Sequence, residues 1–484
     1  MWPWNRRALR ATATLAVTAA ASAALLSACV AGPDFRRPAA PSADAYTRAS
    51  LTDLQAAGMQ LQLGQTPPRE WWNLYASQRL NDTIRVALAG NRDLAAAQAT
   101  LAQASAVAAA ATGARYPQVD LDASAGRQQL GAASLGDVHF PPFTFYSIGP
   151  AVSFSLDYTG GVRRAIEAQG AQVDYQKYEL DAAFLTLTGN VALQALNIAS
   201  TRAQINTVET LVTEDTDNLR LVQTAFDAGS VARVDVLSAQ SQLANDQTLL
   251  PPLLQQLSVA KHALSVLAGR LPADWAPPDF ELDELAPPQA LPLTLPSDVA
   301  RSRPDILAAD AQLHAANASV GVATADLYPH ISLSASADLQ STTLNHLFDS
   351  SSTAGGLTGA LTAPLFDHGA LRARQRAALA ELRAAHAHYE QTVLASFGQI
   401  ADALEALEHD AQLLAAEQRA VDAAAANLDL TRQSYSAGNA GILQMLDAER
   451  SHQQAQLGLI RARAQRYQHA MQLVLASGGA TIAH

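Results

Sequence analysis

Two stretches, RYPQVDLDASAG at Arg115–Gly126 and LYPHISLSASAD at Leu327–Asp338, repeat one pattern 212 positions apart. Each sets an aromatic residue before proline and then alternates apolar with polar side chains. In the first copy Val119, Leu121, Ala123 and Ala125 alternate with Asp120, Asp122, Ser124 and Gly126. In the second, Ile331, Leu333, Ala335, Ala337 and Leu339 alternate with Ser332, Ser334, Ser336, Asp338 and Gln340. A period of two puts one set on each face of a β-strand. Return strands follow: Val152, Phe154, Leu156 and Tyr158 against Ser153, Ser155 and Asp157, then Leu357, Leu361 and Leu365 against Thr358 and Thr362. Strands are expected over about 116–130, 145–158, 328–341 and 355–367.

The repeat extends outward from these strands. The run from Leu94 to Ala125 aligns without gaps on that from Ile306 to Ala337, and Asp93 falls on Asp305. Gly160-Gly161-Val162-Arg163 falls on Gly369-Ala370-Leu371-Arg372, and Leu219–Leu243 falls on Leu428–His452, both at a spacing of 209. One structural unit is written twice. Between the copies lies a Pro-rich, acidic stretch, Leu271–Pro296, which reads as an extended connector.

Proline is absent between Pro150 and Pro251 and again after Pro364. Residues Val162–Phe226 and Leu371–Tyr435 are rich in Ala, Leu, Gln, Arg and Glu, and each predicts one long helix. At ~1.5 Å per residue such a helix is a rod of roughly 100 Å. Its broad Ala/Leu faces require partners on more than one side. On the helices alone, an inert coiled-coil spacer fits as well.

The N-terminus carries Arg6, Arg7 and Arg10 before an apolar run from Leu15 to Leu26, the form of a secretory signal peptide. Leu26-Ser27-Ala28-Cys29 ends it like a lipoprotein cleavage site, and Cys29 is the sole cysteine of the chain. A lone thiol in an exported chain has no internal disulfide partner, so acylation explains it better. Removing residues 1–28 takes the net charge from -12 to about -15, because three Arg and no acid leave. An acidic chain without a basic patch is no nucleic-acid binder. The twelve His are scattered, with His386 and His388 two apart on a helix, and no phosphate loop or Gly-x-Ser-x-Gly occurs. No enzyme, cofactor or metal is expected.

Alternation alone also suits a half-buried soluble sheet. Export, strand lengths of about 9 to 12 residues, and the aromatics Phe140, Phe143, Phe145 and Tyr146 favour membrane strands. Four strands cannot close, and an open edge in lipid leaves backbone groups unpaired. The barrel must then be shared between chains: two copies give eight strands, and three give twelve with room for a lumen.

The chain resembles the outer-membrane efflux proteins, the TolC-like and OprM-like outer membrane factors. The residues carrying this are CVAGPDFRRP from Cys29, EWWNLYASQRLNDTIRVALAGNRDL from Glu70, RSRPDI from Arg301, PLFDHG from Pro364, the two Tyr-Pro strand starts and the two Ala-Gly turns. The resemblance implies a mainly α fold with membrane β: a long periplasmic α-helical barrel and a homotrimer-shared, twelve-stranded transmembrane barrel. It implies a passive exit duct in the Gram-negative outer membrane, joined by a periplasmic adaptor to an inner-membrane transporter of the resistance-nodulation-division type. A type I protein-secretion duct is the alternative, and a non-porous spacer the second. Ala228-Gly229 and Ala437-Gly438 would be the periplasmic tips that meet the adaptor. By the same resemblance Tyr435 would link to Asp235, Gln444 and Asp447 would narrow the aperture, and Arg450 would pair near it. The lipid would sit on Cys29, and Val30 after it points to the outer membrane.

The expected organisation is a signal peptide (1–28), an anchored extended segment (29–70), a first repeat (71–270), a connector (271–297), a second repeat (298–476) and a tail (477–484).

Overall fold

The computed structural model describes residues 30–39, 45–47, 60–129 and 141–478. Cys29 and Phe140 lie outside these. Strand β1 (Gln60–Leu63) leads to a 3-10 turn at Trp71–Tyr75, helices α1 (Gln78–Gly90) and α2 (Arg92–Gly113), and strands β2 (Gln118–Gln128) and β3 (Phe143–Leu156). The long helix α3 (Gly161–Asp227) follows, then α4 (Arg233–Gln247) and α5 (Leu250–Leu267). The second half runs through β4 (Ala290–Leu293), α6 (Pro296–Ser302), α7 (Pro304–Ala325), β5 (His330–Ser341), β6 (Thr353–Thr362), α8 (Ala370–Ser436) and α9 (Ile442–Ala476).

Strands β2-β3-β5-β6 form one antiparallel sheet in that order. Its register realises the period-two pattern as rows across all strands. Val119, Val152, Ala335 and Leu357 share one row, while Leu156, Ile331 and Leu361 share another on the same face. The opposite face carries Gln118, Ser153, Ser334 and Thr358, and Asp120, Ala151 and Ser336. The apolar rows are bare: Leu121 is 71% exposed, Leu357 82% and Leu361 68%. Antiparallel order brings Gln118, Leu156, His330 and Thr362 to one end of the sheet, the end where the helices begin and finish. The outer edges of β2 and β6 have no strand partner among the described residues.

The fourth strand is shorter than expected. It stops at Thr362 rather than continuing to 367, because Pro364 has no N–H to extend a ladder, and Leu365 and Phe366 stand exposed beyond it. The connector is more than a tether. Its β4 pairs in parallel with β1, and Phe280, Leu285, Leu291 and Leu293 are fully buried. Apolar side chains spaced between the prolines supply that core.

The chain divides into two compact units that do not follow the sequence repeats. One gathers residues 1–38, 101–175 and 309–389, and the other 39–100, 176–308 and 390–484. Each draws on both copies, since hairpin pairs with hairpin and helix with helix across the duplication. In the second unit Trp71 is wholly buried; its indole N–H donates to Thr188 Oγ1 at 3.2 Å, and Trp72 and Tyr75 meet it edge-on.

In the first unit the segment after Val30 forms a strap on α7. The Ala31 N–H donates to Thr159 O at 2.8 Å, and Asn317 Nδ2 donates to Pro33 O at 3.0 Å. Phe35 stacks on His314 with ring centroids 4.3 Å apart, and Arg37 pairs with Asp310 at 2.8 Å. Arg164 closes the strap. It binds Asp34 and Glu167, both at 2.7 Å, and Ala31 O at 3.2 Å. A Cβ on Gly32 would lie 2.5 Å from Gly321 Cα, so two glycines let the backbones touch.

Candidate gate at the two helix reversals

Helix α3 ends at Asp227 and α8 at Ser436, and each reverses over a few residues into α4 and α9. Both reversals end on glycine in the left-handed region, Gly229 at φ +74° and Gly438 at φ +75°. No atom lies within 4 Å of a Cβ built on either, so conformation and not space requires glycine. The Ser230 N–H donates to Ala225 O at 2.9 Å and Asn439 N–H to Ser434 O at 2.8 Å. These bonds close the last helical turn after Ala228 and Ala437 in the same way.

The following helices start alike too. Asp235 Oδ2 accepts from Ala232 N–H at 3.0 Å, while Gln444 Oε1 accepts from Gly441 N–H at 3.3 Å. Each satisfies a backbone donor at a helix start, and Asp235 adds a negative charge there. Asp235 and Gln444 are therefore one position written twice. An expected aperture residue and an expected latch residue both cap helices.

Beneath the reversals Val222, Val236, Ala239, Ile442, Met445 and Leu446 form an apolar cluster, with Leu219, Phe226, Val231 and Tyr435 packed on it. The Tyr435 ring is used in packing, and no hydrogen bond joins it to Asp235 within the chain. Within the chain the Asp235 carboxylate accepts from the backbone of its own turn instead. Gln444, Asp447 and Arg450 are exposed on α9, and Asp447 and Arg450 form no ion pair with each other. Their charges remain available to another surface.

A polar layer sits farther along the helices, about 18 Å from the end of α3, since Asp215 precedes Asp227 by twelve residues. Asn218 Nδ2 donates to Glu449 at 2.5 Å, and Arg432 reaches the same carboxylate at 2.9 Å. Gln453 donates to Glu214 at 3.1 Å, and Gln242 to Asp246 at 2.5 Å. Asp215 is 4% exposed and its Oδ2 has no donor. Burial pushes its carboxyl up to about 7, helped by a hydrogen bond to Asp246 and by the charges of Asp246, Glu449 and Glu214. Sequence reading missed this layer. Its signal is the stripe Leu211, Asp215, Asn218, Val222, where polar residues occupy two helix-packing positions.

A profile described as outer membrane efflux protein matches residues 83–270 and 295–479, most of both halves. The chain belongs to the outer membrane efflux protein family. Among relatives in this efflux family, the pyoverdine export outer membrane protein OpmQ of Pseudomonas putida is 30% identical over 423 residues, covering 85% of this chain and 88% of that protein. The solvent efflux pump outer membrane protein SrpC of Pseudomonas putida is 28% identical over 462 residues, covering 94% and 96%. The solved structure of the outer-membrane channel OprN superimposes with a TM-score of 0.85 at 28% identity, covering 93% of this chain and 99% of that one. Among the described residues of this efflux-family chain, no group of three or more His, Cys, Asp or Glu is arranged to hold a metal.

Proposed function

We propose that the chain is the outer-membrane exit duct of a tripartite efflux system, working as a homotrimer. The observation that carries this is the four-stranded sheet with one bare apolar face and two open edges. In water that face is an aggregation hazard; in a bilayer, with its edges closed by other copies, every backbone group finds a partner. Three copies make a twelve-stranded barrel with a lumen faced by the polar rows. The long helices α3 and α8, each 67 residues, form the wall of a periplasmic tunnel of roughly 100 Å.

Acylation of Cys29 fits this placement. Val30 follows it directly, and Ala31 is tied to Thr159, where β3 gives way to α3. The acyl chains enter the periplasmic leaflet beside the strand ends, anchoring the duct with covalent lipid and no other cofactor.

At the far end the reversals at Gly229 and Gly438 meet a periplasmic adaptor, which connects to a transporter of the resistance-nodulation-division type. Asp447 recurs three times around the axis, where it attracts cations and narrows the opening, with Gln444 one turn before it and Arg450 one turn after. Relatives named for pyoverdine export and solvent efflux favour small-molecule cargo over secreted protein. Purified lipoprotein reconstituted in planar bilayers is expected to conduct, and light scattering to give three chains per particle. A stably monomeric, non-conducting product refutes the duct. Asp447→Ala is expected to raise single-channel conductance; unchanged conductance removes Asp447 from the gate.

A further inference from the structure

Helix α3 is sealed on one side and open on the other. Trp71 lies on Thr188, which is fully buried. Thr186 and Asn190, two residues to either side of Thr188 and so turned about 160° from it, are exposed. They rim a cavity of about 560 Å³ that α3 shares with α8 and α9. Its floor is apolar: Leu185 and Leu193 come from α3, Ala403 and Ala406 from α8, and Leu475 from α9. That size and lining suit a small organic molecule.

Three ionisable side chains line the cavity, and two of them are committed to the protein. Arg303 donates to Asp305 at 3.0 and 2.6 Å, to Gln399 at 2.8 Å and to Ala476 O at 2.8 Å. His469 meets Asp410 through Nδ1 at 2.6 Å, which leaves Nε2 as the polar atom of the ring still open to a bound molecule. The third, Asp402 on α8, is exposed and has no hydrogen bond or ion pair among the described residues. Nothing in the lining offsets its charge, since Asp305 balances Arg303 and Asp410 adds a further acid behind His469. Arg461 belongs to the adjoining hollow, eight residues or about 12 Å from His469 along α9, and donates to Gln204 at 2.9 Å.

We infer that this groove is a reversible binding site for organic cations with an apolar body, held by Asp402 over the leucine and alanine floor. A positive group reaching Asp402 gains an ion pair without breaking one, and the apolar body leaves water on the floor. An anion of the same size meets Asp402 as a like charge. The binding rests on the groove alone. Its use rests on the duct reading, in which the side of α3 covered by Trp71 lies outside the wall and the open side faces the lumen. Amphiphilic cations are then the cargo class that this wall holds in transit.

Fluorescence anisotropy of ethidium, an aromatic cation of fixed charge, tests the site on the full-length protein in nonionic detergent. Ethidium is expected to bind saturably, and fluorescein, an aromatic anion, at least about tenfold more weakly. Asp402→Asn keeps the shape of the side chain and removes its charge, and is expected to weaken ethidium about tenfold, whereas Asp402→Glu retains it. Asn190→Trp fills the groove from its exposed rim and is expected to weaken ethidium as well; thermal melting checks that each variant folds. Absence of saturable ethidium binding overturns the site, including the case in which another copy covers the groove. Equal affinity in the wild type and Asp402→Asn overturns it too, as does fluorescein bound as tightly as ethidium. Conductance in planar bilayers separates the two readings: a conducting protein that does not bind ethidium refutes the site and leaves the duct standing, whereas a protein that does not conduct but binds ethidium through Asp402 does the reverse.

Discussion

Helices α2 and α7 are written in one register, 212 positions apart, and meet opposite fates. Along α7 Ile306, Leu307, Ala308, Ala311, Leu313, Ala316, Ala318 and Val320 are buried, whereas on α2 only Leu94 is. The difference lies in what covers them. The strap of residues 30–38 exists once per chain and lies on Asp310, His314, Asn317 and Gly321, a single helical face. The matching positions on α2 are Gln98, Ala102, Ser105 and Ala109, which offer neither the ion pair, the ring nor the gap. Arg164, which closes the strap, is matched by Ala373. Duplication thus supplied two helices in equivalent places, and differing side chains and a single-copy strap made them unequal: one is sealed within the chain, and the other is left exposed.

The comparison breaks most sharply at Gly321. Its missing side chain admits the strap, since a Cβ there would lie 2.6 Å from Arg164 Cγ and 2.9 Å from Ala31 O. Gly321→Leu is expected to cost about 3 kcal/mol of protomer stability by thermal melting, through overpacking and loss of the strap. Ala109→Leu, its counterpart on the bare helix, is expected to change melting little and to weaken assembly in light scattering instead. Equal effects at the two positions would remove the asymmetry. Arg164→Ala comes next, at about 2 kcal/mol, because Asp34 is solvent-exposed and water replaces part of what is lost. Protease sensitivity near residues 30–39 is the check.

Acid is expected to loosen the strap. For Glu167, burial opposes the charge, but hydrogen bonds from Arg164 and His314 outweigh it and hold the carboxyl below its ordinary value of 4.5. A lowered carboxyl stabilises the fold above that value and loses the contribution as pH falls through the native one. Exchange protection of residues 30–39 is expected to drop below about pH 4, and Glu167→Gln to remove the step. The smallest effect is expected at Tyr435, whose hydroxyl has no bond to Asp235: Tyr435→Phe should shift melting by less than about 0.5 kcal/mol. A larger loss, seen only in the assembled protein, would place that hydroxyl against another copy.

The strands, the long helices and the reversals were legible because each rests on a local rule. Alternation fixed the sheet faces, the lack of proline set the helices, and Gly229 and Gly438 marked the turns. The packed connector was harder to see: proline announces extended backbone but not whether Phe280 and Leu291 between the prolines are covered. The residues expected at the gate were legible by type and not by duty. Asp235 and Gln444 stand where a cap belongs, and a cap and a latch look alike until partners are known. The buried polar layer joins Asn218, Glu449 and Arg432 from different helices, and its cue was polarity on a packing stripe.

The outer borders of β2 and β6, unmated among the described residues, also bear on how the proposed duct is made. On the proposed shared-barrel reading, a solitary chain arriving at the outer membrane has nowhere to place those borders, and entry into lipid is expected to be a collective event. Channel number should therefore climb more steeply than gene dosage, and a partner lacking only one border strand should poison its companions.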